Sequence, residues 1–168
     1  WVAHPGLVPI AVAIFDKHMP KAHQKDRQRE DVKITATDLL TVPTGDITEA
    51  GLRNNVSAAL QYLEAWLSGN GCVPINNLME DAATAEIARA QLWQWIRYAK
   101  GVLNDGRKVT VELVRQTIQE ELEAIRTQVG ELGYQAGHYA LAAELLDKIT
   151  TSEEFAEFLT LVAYEYLP

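Results

Sequence analysis

Gly69-Asn70-Gly71-Cys72-Val73-Pro74-Ile75-Asn76-Asn77-Leu78-Met79-Glu80-Asp81-Ala82-Ala83-Thr84-Ala85-Glu86 runs from a Gly-rich loop into a helix and sets two adjacent carboxylates at the junction. Asn77 suits an N-cap, and Glu80 three residues later completes an Asn-x-x-Glu form of the capping box. Asp81 then falls in the first turn, where unpaired backbone N–H groups and the positive end of the helix dipole stabilise negative charge. The helix that follows, to about Lys100, carries Ala85, Ile87, Ala88, Leu92, Trp93, Trp95 and Ile96 around most of its circumference, which predicts a central, buried helix. A carboxylate at such a junction serves either as a cap or as a base, and spacing alone does not choose between them.

Outward from this stretch the chain reads as mainly α. Thr48-Glu49 opens a helix whose Leu52, Val56, Ala59, Leu60, Leu63 and Leu67 share one face, closed by Ser68-Gly69. A third helix is expected over about Thr110 to Val129, a fourth near Tyr134 to Ile149, and a last over Ser152 to Tyr166 with Ser152-Glu153-Glu154 as its cap. Upstream, Trp1-Val2 reads as the end of a buried strand and His4-Pro5-Gly6 as a turn. Leu7, Ile10, Ala11, Ile14 and Phe15 then recur at helical spacing until Pro20 stops the run. Between Lys21 and about Asp46 apolar residues thin out, giving an extended connection with at most a short helical turn near Asp38 to Val42.

The composition narrows function. With 168 residues and 48% hydrophobic content, the chain can bury a real core. A formal net charge of −8 argues against nucleic-acid binding or adhesion to an anionic membrane, both driven by clustered cations. The one basic cluster, Lys21 to Lys33, is interleaved with Asp26, Glu30 and Asp31 and reads as a solvated loop. A single cysteine points to a reducing compartment. No apolar run reaches the ~20 residues a bilayer requires. The four histidines show no metal-ligand spacing with one another or with Cys72. The start on Trp1 without an initiator Met reads as a piece of a longer protein.

Three segments, Trp1 to Ile10, Ile47 to Val56, and Asn70 through Ile87 with its Met79-Glu80-Asp81-Ala82-Ala83-Thr84 core, resemble malate synthase of the shorter A-type, in the family's order. The similarity runs from Trp1 to about Arg97 and weakens beyond. The resemblance implies the last strand–helix piece of a TIM barrel over residues 1–19, a connecting loop over 20–46, and the C-terminal helical-bundle domain over 47–168. It also implies the condensation of acetyl-CoA with glyoxylate and water to malate and CoA, the reaction of the glyoxylate bypass. By motif, Asp81 matches the general base, while Met79, Trp1 and Pro5 match positions lining the acetyl-CoA pocket. The Mg²⁺ ligands, the enolate-stabilising Arg and most of the glyoxylate pocket belong to barrel strands preceding Trp1. This chain is therefore expected to hold no metal, to need the missing N-terminal barrel as its partner, and to be inactive alone. A cytoplasmic location is expected, or a glyoxysome or peroxisome in a eukaryote. Two readings compete: a non-catalytic helical interaction module in which Asp81 only caps, and a related acyl-CoA lyase or condensing enzyme acting on another 2-oxo acid.

Overall fold

The structure is a computed structural model that describes Val2 and residues 4–167; of the buried strand end expected at Trp1-Val2, Trp1 falls outside them, and Val2 is 40% exposed and in no strand. The chain divides into two compact units, residues 1–44 and 45–168. In the first, a 3-10 turn over Pro5–Leu7 leads into α1 (Val8–His18), and the His4 imidazole Nδ1 accepts a hydrogen bond from the Gly6 N–H at 3.0 Å. The short turn expected near Asp38 is α2 (Ala36–Leu40), one residue pair earlier than its apolar residues suggest. Thr35 caps it, and the Asp38 carboxylate reaches back to the Thr35 N–H at 2.8 Å, completing a capping box.

The second unit is built around α3 (Glu49–Leu67), capped by the Thr48 hydroxyl. Leu52, Val56, Ala59, Leu60, Leu63 and Leu67 are all buried, as their spacing predicts, and Tyr62, Ala58 and Ala65 are buried with them. Burial therefore extends well beyond one stripe, and α3 is the central helix. Each fully buried Leu contributes on the order of 1.5–3 kcal/mol relative to exposure. Against α3 lie a hairpin of β1 (Cys72–Ile75) and β2 (Leu78–Asp81), then α4 (Ala82–Arg97), α5 (Val111–Ala136) and α6 (Tyr139–Thr151), while α7 (Leu159–Tyr164) packs on α4 and α6.

Four local expectations are corrected. The Asn77 capping box does not form: Asn76 and Asn77 have φ of 50° and 64°, and pairing of Ile75 with Leu78 makes them the two-residue turn of a hairpin. Asn tolerates the left-handed conformation that such a turn requires at both positions. The helix therefore starts at Ala82, with Asp81 itself as the N-cap. α4 is not buried all round either; it buries Ala85, Ala88, Arg89 and Leu92, whereas Ile87 is 59% exposed. α5 runs past Val129 through a break at Gly130 (φ 76°, ψ 160°), so Tyr134 belongs to its tail and α6 opens only at Tyr139. Finally, Ser152 to Phe158 is not helical, because its main chain is bonded to side chains of α4 instead of to itself.

An ion-pair network joins three parts of this unit. Arg53 on α3 pairs with Glu49, Glu120 and Glu121, and Arg107 pairs with both Glu49 and Asp105. Arg107, then Arg53, holds Glu49 below its ordinary carboxylate range; Arg107 does the same to Asp105, and Arg53 to Glu120. A carboxylate whose folded-state pKa is depressed adds stability that is present above its unfolded value and lost as pH falls through the folded value. Thermal melts are accordingly expected to be flat from neutrality down to the ordinary Glu value of 4.5 and to decline below it. Arg53→Met and Arg107→Met are expected to flatten that acid limb, because they remove the cations that depress these groups. High salt narrows the effect, since Glu49, Asp105, Glu120 and Arg107 are each close to half exposed.

Candidate active site

The hairpin sorts its residues by alternation. Val73, Ile75 and Glu80 point toward the helices, with Ile75 2% exposed, whereas Cys72, Pro74, Met79 and Asp81 are exposed on the opposite face. Cys72 pairs directly with Asp81, and Pro74 with Met79, so these four side chains form one outward patch. Leu78, at 62% exposure, leaves the hairpin's edge apolar as well. The missing N–H of Pro74 is tolerated because both strands are edges.

Asp81 is fixed by the start of α4. Its Oδ1 accepts hydrogen bonds from the backbone N–H groups of Ala83 at 2.9 Å and Thr84 at 3.3 Å, while no hydrogen bond reaches Oδ2 among the described residues. One oxygen thus anchors the carboxylate and the other is open to the outward face. The arrangement combines a set orientation with an unshared acceptor, which is what a proton-abstracting group requires.

The hairpin is held from below by Tyr62. Its side chain is 1% exposed, and its hydroxyl donates to the Gly71 carbonyl at 3.2 Å, at the entry to β1. Burial raises the Tyr62 pKa, and negative charge on Asp81 and Cys72 raises it further. Asn70 adds a second anchor, its Oδ1 accepting from the Cys72 N–H at 3.3 Å. Neither Tyr62 nor Asn70 stands out in the sequence, because an aromatic on a buried helix and an Asn beside Gly are both commonplace.

The remaining expected site residues are placed as follows. Met79, 57% exposed, lies two residues before Asp81 on the same face. Pro5 is exposed at the start of the 3-10 turn in the first unit. Trp1 falls outside the described residues. Glu80, half-buried on the inward face, stands apart from the outward patch. Cys72 is a free, exposed thiol. Among the described residues no three His, Cys, Asp or Glu side chains gather around a point that could hold a metal ion, and no helix is long and apolar enough to cross a membrane.

Comparison with known proteins bears on the whole chain. It is 52% identical over 167 residues to a malate synthase of Myxococcus xanthus, covering 99% of this chain and 31% of that protein. It is 48% identical over 169 residues to malate synthase A of Escherichia coli, covering 99% and 32%. To a glyoxysomal malate synthase of Brassica napus it is 45% identical over 171 residues, covering 99% and 30%. The likeness extends through α5, α6 and α7, farther than the motifs around Asp81 suggest, and the chain spans about a third of the length of these relatives. The malate synthase C-terminal family model matches residues 46–167, and the malate synthase TIM-barrel model matches residues 1–42. The chain therefore belongs to the malate synthase family, as the end piece of its TIM barrel followed by its C-terminal domain.

Proposed function

We propose that this chain is the catalytic-base part of an intact malate synthase that condenses acetyl-CoA with glyoxylate. The observation that carries the reading is the Asp81 carboxylate, anchored through Oδ1 and open at Oδ2 on an exposed face. In the proposed step a methyl C–H bond of acetyl-CoA breaks, the proton goes to Asp81 Oδ2, and the electron pair passes into the thioester enolate. The enolate carbon then bonds to the aldehyde carbon of glyoxylate, whose oxygen takes up the charge. Water hydrolyses the malyl thioester to malate and free CoA.

Met79 offers an apolar wall beside Asp81 for the pantetheine arm. On the resemblance alone, Pro5 and Trp1 are assigned to contact with acetyl-CoA. Mg²⁺, when bound, would polarise the aldehyde. The described residues offer it no ligand set. Its ligands and the enolate-stabilising Arg belong, in this reading, to the barrel strands that precede residue 1. The exposed free thiol of Cys72 suits a reducing cytoplasm, with the glyoxysome as the competing address.

A thioester-release assay with acetyl-CoA, glyoxylate and Mg²⁺ tests the division of labour. The intact protein is expected to turn over and the 168-residue chain alone to show no measurable release. Turnover by the chain alone would overturn the assignment of half the site to upstream residues.

A further inference from the structure

α4 is bound along one face to a segment without regular structure, residues 152–158, by side chains that grip its backbone. The Glu86 carboxylate accepts from the Leu159 N–H at 2.9 Å. Arg89 donates through Nη2 to the carbonyls of Ala156 at 2.6 Å and Glu157 at 3.3 Å, and pairs with Glu86. The Trp93 indole N–H donates to the Ser152 carbonyl at 2.9 Å, and Arg97 reaches the carbonyls of Thr150, at 3.0 Å, and Ser152. Positions 86, 89, 93 and 97 follow helical spacing, so a single face of α4 reads the strap.

Arg89 is the costly member of this set. Its side chain is 0% exposed, with the guanidinium 4.0 Å from the centre of the Phe155 ring, and its Nε and Nη1 find no partner among the described residues. An apolar side chain of similar volume would fill the space without burying a partly satisfied cation. What Arg89 supplies and an apolar residue cannot is directional bonding: it fixes two successive carbonyls of the strap, and so the setting of the strap on α4.

Asp81, the N-cap of α4, stands eight residues before Arg89, about 12 Å along the axis, with Glu86 between them. We propose that Arg89, acting with Glu86 through the strap, is a positioning residue that sets where the open oxygen of Asp81 points. The inference rests on the reading of Asp81 as the base. It assigns the strap a role in turnover in addition to covering the α4 side of the core.

The test is amide hydrogen exchange and steady-state kinetics on the intact protein, in Arg89→Met and in the gentler Trp93→Phe. The second deletes one strap hydrogen bond and keeps the aromatic packing on Phe155, whose ring lies 5.0 Å away. Expected is faster exchange at the Ala83 and Thr84 amides, tenfold or more in Arg89→Met and smaller in Trp93→Phe, with α3 amides at the parent rate. With it kcat falls about tenfold in Arg89→Met, at unchanged KM for both substrates. If Arg89→Met fails to fold, Trp93→Phe decides alone. Cap amides that keep the parent rate while residues 156–159 exchange faster would overturn the proposal, as would acceleration throughout α3. Asp81→Asn, measured alongside, separates the two layers. Full turnover there overturns the base assignment and this inference with it, whereas an inactive Asp81→Asn beside insensitive cap amides overturns the positioning role alone.

Discussion

Asp81→Asn in the intact protein is expected to lower kcat by about two orders of magnitude or more and to leave the helical unit folded. The substitution is informative because Asp81 does two things at once. As N-cap it satisfies two amide donors at the start of α4 through Oδ1. In the proposed reaction it accepts a proton on Oδ2. Asparagine is as good an N-cap as aspartate, and its side-chain oxygen can take the same two hydrogen bonds. Its amide nitrogen cannot accept a proton. Asp81→Ala removes both roles, so it is expected to show the same kinetic loss and, in addition, a destabilisation of about 1 kcal/mol. If Asp81 is only a cap, as in a helical interaction module, the pattern inverts: Asp81→Asn retains turnover and only Asp81→Ala suffers. Unfolding followed by tryptophan fluorescence beside a thioester-release assay separates the two.

Gly101→Ala is expected to be the most damaging change to the fold per atom added. A Cβ on Gly101 would fall inside the van der Waals shell of the Trp95 carbonyl, which is backbone and cannot swing aside. The site is already crowded by design. The Lys108 ammonium donates to the carbonyls of Trp95, of Tyr98 at 2.9 Å and of Gly101 at 3.0 Å, tying the end of α4 to the loop that leads into α5. Burial lowers the Lys108 pKa, so carbonyl oxygens take the place of water around this ammonium. Forcing the Gly101 backbone away from Trp95 strains this knot, and the expected cost is about 3 kcal/mol. Gly45→Ala is the control: a Cβ there meets nothing within 4 Å, and a change of no more than about 0.5 kcal/mol is expected. Equal unfolding midpoints for the two variants would contradict the packing described for the end of α4.

How much of this was legible in the sequence differs by element. The buried face of α3 is written in the spacing of Leu52, Val56, Ala59, Leu60, Leu63 and Leu67, and those residues are buried. The Asp81 junction is legible as a helix start, but four residues too early. Strands of four residues carry little periodicity, and Asn76-Asn77 serves equally as a cap signal or as a left-handed turn. The pairing of Leu78–Asp81 with β1 decided in favour of the turn. Ser152-Glu153-Glu154 is a sound local cap signal overridden from a distance, since the Ser152 carbonyl is claimed by both Trp93 and Arg97. Arg89 is illegible for the same reason: an arginine between two alanines of a helix reads as a solvated residue until the strap is seen to close over it.

The most direct test of the central claim follows the methyl proton itself. With methyl-deuterated acetyl-CoA, glyoxylate and Mg²⁺, the intact protein is expected to release deuterium to solvent as malate forms, and Asp81→Asn to lose both together. Deuterium release at the parent rate from Asp81→Asn would show that another group takes the proton, and would contradict the account.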